Sequence, residues 1–404
     1  MSLKTGRLIV VTSRFPFGSQ ESYLSGELAE LARHFEEVVV VPVRPPASPA
    51  QHTLPKNARV LSWPLVSPEL LCRAIVAAVT RPRRVARALR AITASRDPGH
   101  LKNLAVLIKG LALGQWAMRH RAEHIHAYWM STPSTVALIA ALTSDLRWSA
   151  TAHRWDIYER NAFDIKEETV SLVRVISERG AADLRTRMPR LNGRVAPLPI
   201  GIVIPPYVRR SHDSGEFRVA CPAALVEVKG HPTLLRAVAQ LRGIGVPIAC
   251  TLYGTGPLKN ELERMAAALQ LGDAVKFAGF VPQSRLHEEY RAGRFAAIVL
   301  SSRSAGEKMM EGIPSALLEA MAFGVPVVAT NSGSVGEAVD PTSGLLVPPD
   351  DPDRLAGALY DVYRDPGAAR VRAERAYAIV SARHDVRAQM RELAAALREK
   401  DGNK

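Results

Sequence analysis

The chain has 404 residues and a mass of 43.9 kDa, too long for one ordinary domain and enough for two or three. With 47% hydrophobic and 23% charged residues its composition is globular, which excludes a largely disordered, collagen-like or coiled-coil chain. Lysine and arginine outnumber the acids 53 to 39, and the net charge of +14 calls for an anionic partner or another explanation, the candidates being nucleic acid, a membrane surface or phosphorylated small molecules. Aromatic residues make up 6%, thin for the stacking of single strands. No apolar run reaches the roughly 18 residues of a membrane span. The start, MSLKTGRLIVVTSRFPF, lacks a small-residue cleavage site and reads as a first strand rather than a signal peptide. Cys72, Cys221 and Cys250 are scattered, odd in number and without metal-ligand spacing. That pattern predicts a reducing compartment, with neither a disulfide framework nor a zinc site. The expectation is a soluble, cytoplasmic protein.

In chain order, RLIVVT (Arg7 to Thr12) is a continuous apolar run suited to a strand buried on both faces. After the turn-rich SRFPFGSQE, YLSGELAELARHF has helical spacing and EVVVVPV is a second strand, a βαβ unit with a right-handed crossover. From Arg73 to Arg121 there are eleven lysines and arginines against one acid, Asp97. Within it CRAIVAAV and RVARALRAI alternate apolar and cationic residues at helical spacing. Two readings stay open: amphipathic helices on an anionic bilayer, or a solvated basic face. Alternation then resumes with HIHAYW (strand), TVALIAALTS (helix), WSATAHRWDIY (strand into loop) and RVISERGAADLRTRM, where Ser177 can cap a helix.

Around PLPIGIVIPPYVRRSHDSGE the periodicity stops, which marks a domain boundary. A second series follows: FRVACPAAL, IACTLYG, VKFAGFV, AAIVLSS and PVVAT as strands, with HPTLLRAVAQLRG, PLKNELERMAAALQLG and SALLEAMAFG as helices. The charged tail from ARVRAERAYAIV onward reads as one or two solvated helices. The architecture is therefore α/β, two doubly wound Rossmann-like halves with C-terminal helices. The expected divisions are an N-terminal domain over 1–205, a linker over 206–214 and a C-terminal domain over 215–380. A helix over 381–404 either stands in solvent or packs back on the first domain. Ligands of such sheets sit at the carboxyl ends of the strands, and a two-domain chain places them in the cleft between facing halves.

The segment most informative about chemistry is EGIPSALLEAMAFGVPVVAT, Glu311 to Thr330. Pro314 suits the first position of a helix, where its missing N–H costs nothing. Glu311 then lies in the loop ahead of the helix and Glu319 within it. The free N–H groups of that helix start, from Ser315 onward behind Pro314, face a position where phosphate oxygens can bind without a metal. The two carboxylates, eight residues apart, could grip hydroxyls on either side of that phosphate.

This segment resembles the signature of a large family of retaining glycosyltransferases with two Rossmann-like domains, family 4 of the GT-B fold, whose pattern is Glu, seven residues, Glu, then AMA-x-G-x-PVV. It looks most like members that build bacterial exopolysaccharides, such as those of colanic acid assembly. The resemblance is strongest from Val219 to Pro349. It implies that Glu311 holds donor-sugar hydroxyls, Glu319 the ribose, and Lys229, in ALVEVKGHPTLLRA, the donor diphosphate. YGTGPLKNELE carries the family's glycine-rich turn at Gly254, Gly256 and Pro257, and KFAGFVP the loop lining the nucleobase at Gly279, Phe280 and Val281. Glu337 and Gly344 stand at further matching points. In the N-terminal half, SATAHRWDIY resembles the loop bearing the active-site histidine, here His153, and FPFGSQESYLSGEL the first loop, whose Gly18 approaches the diphosphate. One departure stands out: the arginine usually found five residues before the lysine is here Ala224. Losing such a charge-assisted bond costs roughly 1.5–3 kcal/mol, and Arg303 or Lys308, in SSRSAGEKMMEG, could replace the charge.

Chemistry supports these roles: transfer from a nucleotide carrier leaves a diphosphate with growing negative charge, which a lysine and a helix start stabilise. The expectation is a retaining glycosyltransferase. It would move a hexose from a UDP- or GDP-linked donor to a glycan or lipid-linked acceptor, with no metal or other cofactor. It would be cytoplasmic or peripheral at the inner face of a membrane, and would bind no nucleic acid, since no recognition helix or RNA motif is present. Two rivals remain: a nucleotide-sugar-binding scaffold whose chemistry has lapsed, favoured by Ala224, and a sugar-nucleotide epimerase, disfavoured by the Glu-seven-Glu signature.

Overall fold

Leu8 and Val10 point to one fully buried face and Ile9 and Val11 to another, so the first apolar run is an interior strand of a parallel sheet covered on both sides. The computed structural model describes residues 5–18, 21, 23–46, 50, 52–97, 99–208, 217–306 and 309–399. The chain forms two units, Met1–Gly201 with Val386–Lys404, and Ile202–Asp385. These divisions fall slightly before the expected 205 and slightly after the expected 380; much of the expected linker, from 209 on, lies outside the described residues.

In the first unit, β1 (Thr5–Thr12), β2 (Phe35–Pro42), β3 (Ala58–Val60), β4 (Ala122–Ala127), β5 (Arg147–Ala152), β6 (Leu172–Val175) and β7 (Val195–Pro197) form one parallel sheet in the order β3-β2-β1-β4-β5-β6-β7. In the second unit, β8 (Phe217–Pro222), β9 (Ile248–Tyr253), β10 (Val275–Gly279), β11 (Ala297–Leu300), β12 (Val327–Thr330) and β13 (Leu345–Val347) form another, in the order β10-β9-β8-β11-β12-β13. Strand order reverses between β1 and β4, and again between β8 and β11. At such reversals the loops leaving neighbouring strands diverge and open a crevice.

One face of the first sheet is covered by the helices Leu24–Leu31 and Val386–Arg398, through Leu24, Leu28, Leu31, Met390, Leu393 and Leu397. The last helix therefore has a buried face and is not solvated as its charge suggested. Val386, Met390, Leu393, Ala394 and Leu397 recur at helical spacing behind the arginines. The opposite face is covered by Leu107–Arg119 and Thr132–Ser144. Beneath the first helix, Glu27 and Arg174 form a fully buried pair, NH1 to Oε2 at 2.8 Å and NH2 to Oε1 at 2.6 Å. Arg174 also donates to Leu198 O and Pro199 O, and Glu27 Oε1 accepts from Gly201 N, so the polar atoms of the pair are matched rather than stranded.

Three local expectations are corrected. WSATAHRWDIY continues past β5 into a helix, Arg154–Glu159, instead of a loop. The basic region holds more than two helices, Pro68–Thr80, Pro82–Ala94, His100–Ala105 and Leu107–Arg119, and is only partly a basic face. Lys109 is fully buried and donates to Pro42 O, Val43 O and Trp63 O, while Arg73 pairs with Glu69, Arg84 with Asp145 and Lys102 with Glu159. The helix Gln283–Arg291, mostly polar and burying only Leu286 and Tyr290, went unforeseen.

Candidate functional site

Lys229 stands in the turn that leaves β8. Glu227–Lys229 form one tight helical turn, Gly230 takes a left-handed φ of 61°, and the helix His231–Gly243 begins. A Cβ on Gly230 would lie 2.0 Å from Ser301 O, so only glycine lets this turn rest against the end of β11. Ser301 Oγ donates to Lys229 O at 3.1 Å and Gly230 O at 3.0 Å, and Arg303 N donates to Val228 O at 2.8 Å. The two strand ends at the reversal of the second sheet are thereby laced together, and Lys229 is held between them.

Glu311 arrives from the other side. Its N–H donates to Ser332 Oγ at 3.0 Å and its carbonyl accepts from Ser334 N at 3.2 Å. Gly333, at a φ of 58°, packs so closely that a Cβ would meet that carbonyl oxygen at 1.9 Å. The Glu311 carboxylate accepts from Lys229 Nζ at 2.5 Å, Ser302 Oγ at 2.9 Å and Gly312 N at 3.2 Å. Burial pushes this carboxyl up, but the Lys229 ammonium, with Ser302 and the Gly312 N–H, outweighs it and holds the group below the usual carboxylate range. Pro314 is the residue ahead of the helix Ser315–Ala322 rather than its first member, with φ −76° and ψ 119°. The shift is one residue: Pro314 keeps an extended ψ, and its carbonyl accepts from Leu317 N at 3.0 Å.

Glu319, 8% exposed, sits on the buried side of that helix. Its Oε1 accepts from Gln283 Nε2 at 2.8 Å and its Oε2 lies 3.1 Å from His287 Nε2. Both partners come from Gln283–Arg291, and the His287 ring lies 4.7 Å from that of Phe323. Gly254 and Gly256 have a steric reason to be glycine: a Cβ on either would meet Ala223 O at 2.1 Å or Leu225 O at 2.3 Å. Gly254 N also donates to Gly279 O at 2.8 Å, which ties the glycine turn to the end of β10. Beyond that end Phe280 is 54% exposed and Val281 half-buried. Ala224 is exposed, and its carbonyl lies 3.0 Å from His231 Nε2. Arg303 is engaged elsewhere, with Glu227 and Asp350 both at 2.9 Å, so its charge is already matched. Lys308 lies outside the described residues.

In the first unit, His153 ends β5 and precedes the helix Arg154–Glu159. Its N–H donates to Asp156 Oδ2 at 3.1 Å, the same oxygen that accepts from Met130 N at 3.1 Å. Its Nε2 lies 3.0 Å from Tyr23 Oη, its Nδ1 3.6 Å from Asp156 Oδ2, and Trp129 lies against its ring at 4.2 Å. Burial and the nearby Glu21 carboxylate push the Tyr23 phenol well above its ordinary value, so the phenol stays protonated and can donate to Nε2. Gly18, at a φ of 78°, accepts from His52 Nε2 at 2.9 Å. Glu21, at the end of the turn-rich stretch SRFPFGSQE, is buried and accepts from Arg14 N and Phe15 N at 2.7 Å each and Trp129 Nε1 at 2.6 Å. Among the described residues no group of three His, Cys, Asp or Glu side chains could hold a metal ion.

The second unit thus brings Lys229, Glu311 and their backbone clamps together at the reversal of its sheet, and residues 208–379 match the family model of the glycosyl transferases group 1. That stretch belongs to the group 1 glycosyl transferases. Among curated relatives, a GDP-mannose-dependent alpha-(1-6)-phosphatidylinositol monomannoside mannosyltransferase of Mycolicibacterium smegmatis is 36% identical over 152 residues, 37% of this chain and 40% of the relative. The amylovoran biosynthesis glycosyltransferase AmsK of Erwinia amylovora is 35% identical over 144 residues, 35% of each chain. The matches to these relatives thus span well under half of their length. HepE of Anabaena, solved in complex with UDP, superposes with a TM-score of 0.70 at 19% identity, over 98% of this chain and 99% of that one. Sucrose-phosphate synthase of Thermosynechococcus elongatus gives 0.74 at 19%, over 97% and 98%. The fold is that of the GT-B proteins, with two Rossmann-like domains.

Gln283 and His287 escaped the sequence reading because polar residues on a mostly polar helix carry no local signal. Asp156, three residues after His153, could have been found from its helix-capping spacing. Glu21 had no such mark.

Proposed function

We propose that the protein is a retaining glycosyltransferase that moves a hexose from a nucleotide diphosphate-sugar to a glycan or lipid-linked acceptor in cell-surface polysaccharide or glycolipid assembly. The observation that carries this reading is the Lys229–Glu311 pair, fixed at the carboxyl ends of β8 and β11 within a group 1 glycosyl transferase domain. In the reaction the bond between the anomeric carbon and the diphosphate oxygen breaks, and an acceptor oxygen bonds to that carbon on the same face. The acceptor hydroxyl proton passes to the departing diphosphate. Lys229, sharing its ammonium between Glu311 and the diphosphate, stabilises the charge that develops on the leaving group, with the start of Ser315–Ala322 beside it. Glu311 accepts from donor-sugar hydroxyls and Glu319, oriented by Gln283 and His287, from the ribose. Phe280 and Val281 offer an apolar surface to the base. His153, its ring set by Tyr23 and Asp156, hydrogen-bonds the donor sugar or diphosphate, and Gly18 lets the first loop approach it. Arg303, already paired with Glu227 and Asp350, is not free to replace the charge missing at Ala224, and in this reading Lys229 carries the diphosphate contact.

The test is a product assay with UDP- and GDP-sugars, following release of nucleoside diphosphate and the anomeric configuration of the product. Lys229→Met and Glu311→Gln are expected to lower the rate by about 100-fold or more. Product of inverted configuration contradicts the retaining reading, and donor binding without turnover leaves the lapsed scaffold.

A lipid-linked acceptor agrees with one further surface. The helix Pro68–Thr80 buries only Leu70, Ala74 and Ala77, while Ile75 is 60% and Val79 74% exposed. The next helix, Pro82–Ala94, exposes Arg83, Arg87 and Arg90. Apolar and cationic residues side by side suit an anionic bilayer surface, and among the described residues no helix is long and apolar enough to cross one. Vesicle flotation checks this: Ile75→Glu with Val79→Glu is expected to abolish binding to acidic vesicles at low salt. Absence of wild-type binding to such vesicles refutes it.

A further inference from the structure

The first unit has its own crevice at the reversal of its sheet, and its chemistry is distinctive. A hollow of about 280 Å³ lies where the chain leaves β1, β2 and β4, lined by Ser13 and Arg14, by Arg44, by Ser131 and Thr132, and by Lys102. Three of these side chains are cationic and none is acidic. Lys102 is bonded to Glu159 at 3.3 Å, whereas among the described residues Arg14 and Arg44 have no acidic partner. The hydroxyls of Ser13, Ser131 and Thr132 likewise have no partner among them.

The backbone beneath these side chains is fixed. Val43 N donates to Thr12 O at 2.9 Å and Arg44 N to Ser13 O at 3.2 Å, which carries the β1–β2 ladder past the strand ends to the two arginines. Two buried lysines pin the walls from behind. Lys109 Nζ donates to Pro42 O, Val43 O and Trp63 O at 2.6 to 2.9 Å, under Arg44. Lys166 Nζ donates to Met130 O at 2.8 Å and Ser131 O at 3.1 Å, under the opposite wall. The adjoining helix Thr132–Ser144 adds little: Pro133 has no N–H, and Ser134 N is taken by Trp129 O at 3.1 Å. Recognition here belongs to side chains. Two unmatched guanidiniums over a preformed polar floor suit a phosphate or diphosphate, whose oxygens accept bidentate bonds. An uncharged sugar would leave those charges uncompensated.

We propose that this hollow is the subsite for the phosphate or diphosphate group of the acceptor, held by Arg14 and Arg44 with Lys102 and the surrounding hydroxyls. The proposal rests on the transferase reading for the word acceptor, but its test reads binding alone. Calorimetric titration of the full chain with inorganic pyrophosphate would be done in a Lys229→Met background, so that the second unit's own anion site does not contribute. Binding is expected to persist there, and the added pair Arg14→Ala and Arg44→Ala to weaken it at least about tenfold, with the thermal midpoint unchanged. Methyl and octyl phosphate distinguish the sources: tighter binding of octyl phosphate assigns a lipid-linked group, and equal binding a phosphate on a soluble molecule. No pyrophosphate binding in the Lys229→Met protein, or binding indifferent to the arginine pair, overturns the proposal. Should transfer fail while this titration succeeds, the subsite stands and the transferase reading falls.

Discussion

Lys229 and Glu311 neutralise each other at 2.5 Å with side chains only 20% and 12% exposed, so neither can be removed without stranding the other's charge. Lys229→Met is expected to cost the second unit about 2 kcal/mol, less than for a fully buried pair because water reaches the site. It should also let the Glu311 carboxyl rise. The sign follows from linkage: the native carboxyl titrates below its unfolded value, so its contribution is complete above about pH 4.5 and fades as the pH falls through the native value. Denaturant unfolding between pH 7 and 3 checks this, and an equal acid slope in wild type and Lys229→Met contradicts it. Gly230→Ala tests the clamp instead of the charge. A Cβ 2.0 Å from Ser301 O, on a residue at φ 61°, should cost about 3 kcal/mol and displace Lys229 with it. A thermal midpoint within a degree of wild type would contradict that. The places of Glu311, ahead of a helix, and Glu319, within it, were legible from local spacing, whereas Lys229 was picked out by the family resemblance. The partners of Glu319 were not, because Gln283 and His287 reach it from 36 and 32 positions away.

The strands were the easiest elements to read, since parallel strands buried on both faces are continuous Val, Ile and Leu runs. Short β3, β7 and β13 were missed for want of such a run, with three residues each. The final helix was left open between solvent and the first domain because arginines hide its apolar spacing. Removing residues 386–399 would expose Leu24, Leu28 and Leu31 and forfeit five buried side chains, so the first unit should lose about 5 kcal/mol or more. Unaltered unfolding of the truncated chain would show that the helix is dispensable. Between β4 and β5 the buried His124, Ser149, His126 and Thr151 form a hydrogen-bonded chain with links of 2.7, 2.7 and 2.9 Å. Burial pushes His124 down to about 3 and His126 well below its ordinary value. Both are neutral in the fold, so their contribution is complete above about pH 6.5 and is lost as the pH falls toward the native values. At pH 5 His124 alone should cost about 2 kcal/mol. Urea unfolding of the first unit at pH 7 and pH 5 measures this, and a His124→Gln chain with the wild-type pH slope would contradict it.

Each unit of the molecule repeats one device, a parallel sheet whose strand order reverses and whose diverging loops carry charge. In the second unit the loops offer a lysine, a glutamate and a helix start; in the first they offer arginines and hydroxyls over buried lysines. The alternation of strand and helix made both sheets legible, and the family signature marked the candidate site of the second unit. The hollow of the first unit had no comparable signature: Arg14, Arg44 and Lys102 come from three separate segments, and only the sheet order brings them together. The net charge of +14 pointed to anionic partners without placing them. The most direct measurement is calorimetric titration of a panel of UDP-, GDP- and ADP-sugars into wild-type protein, Lys229→Met and Glu319→Ala. One donor should bind the wild type and weaken at least about tenfold in each variant. No binding of any nucleotide sugar, or binding that both substitutions leave unchanged, would contradict the assignment of the second unit as the donor site.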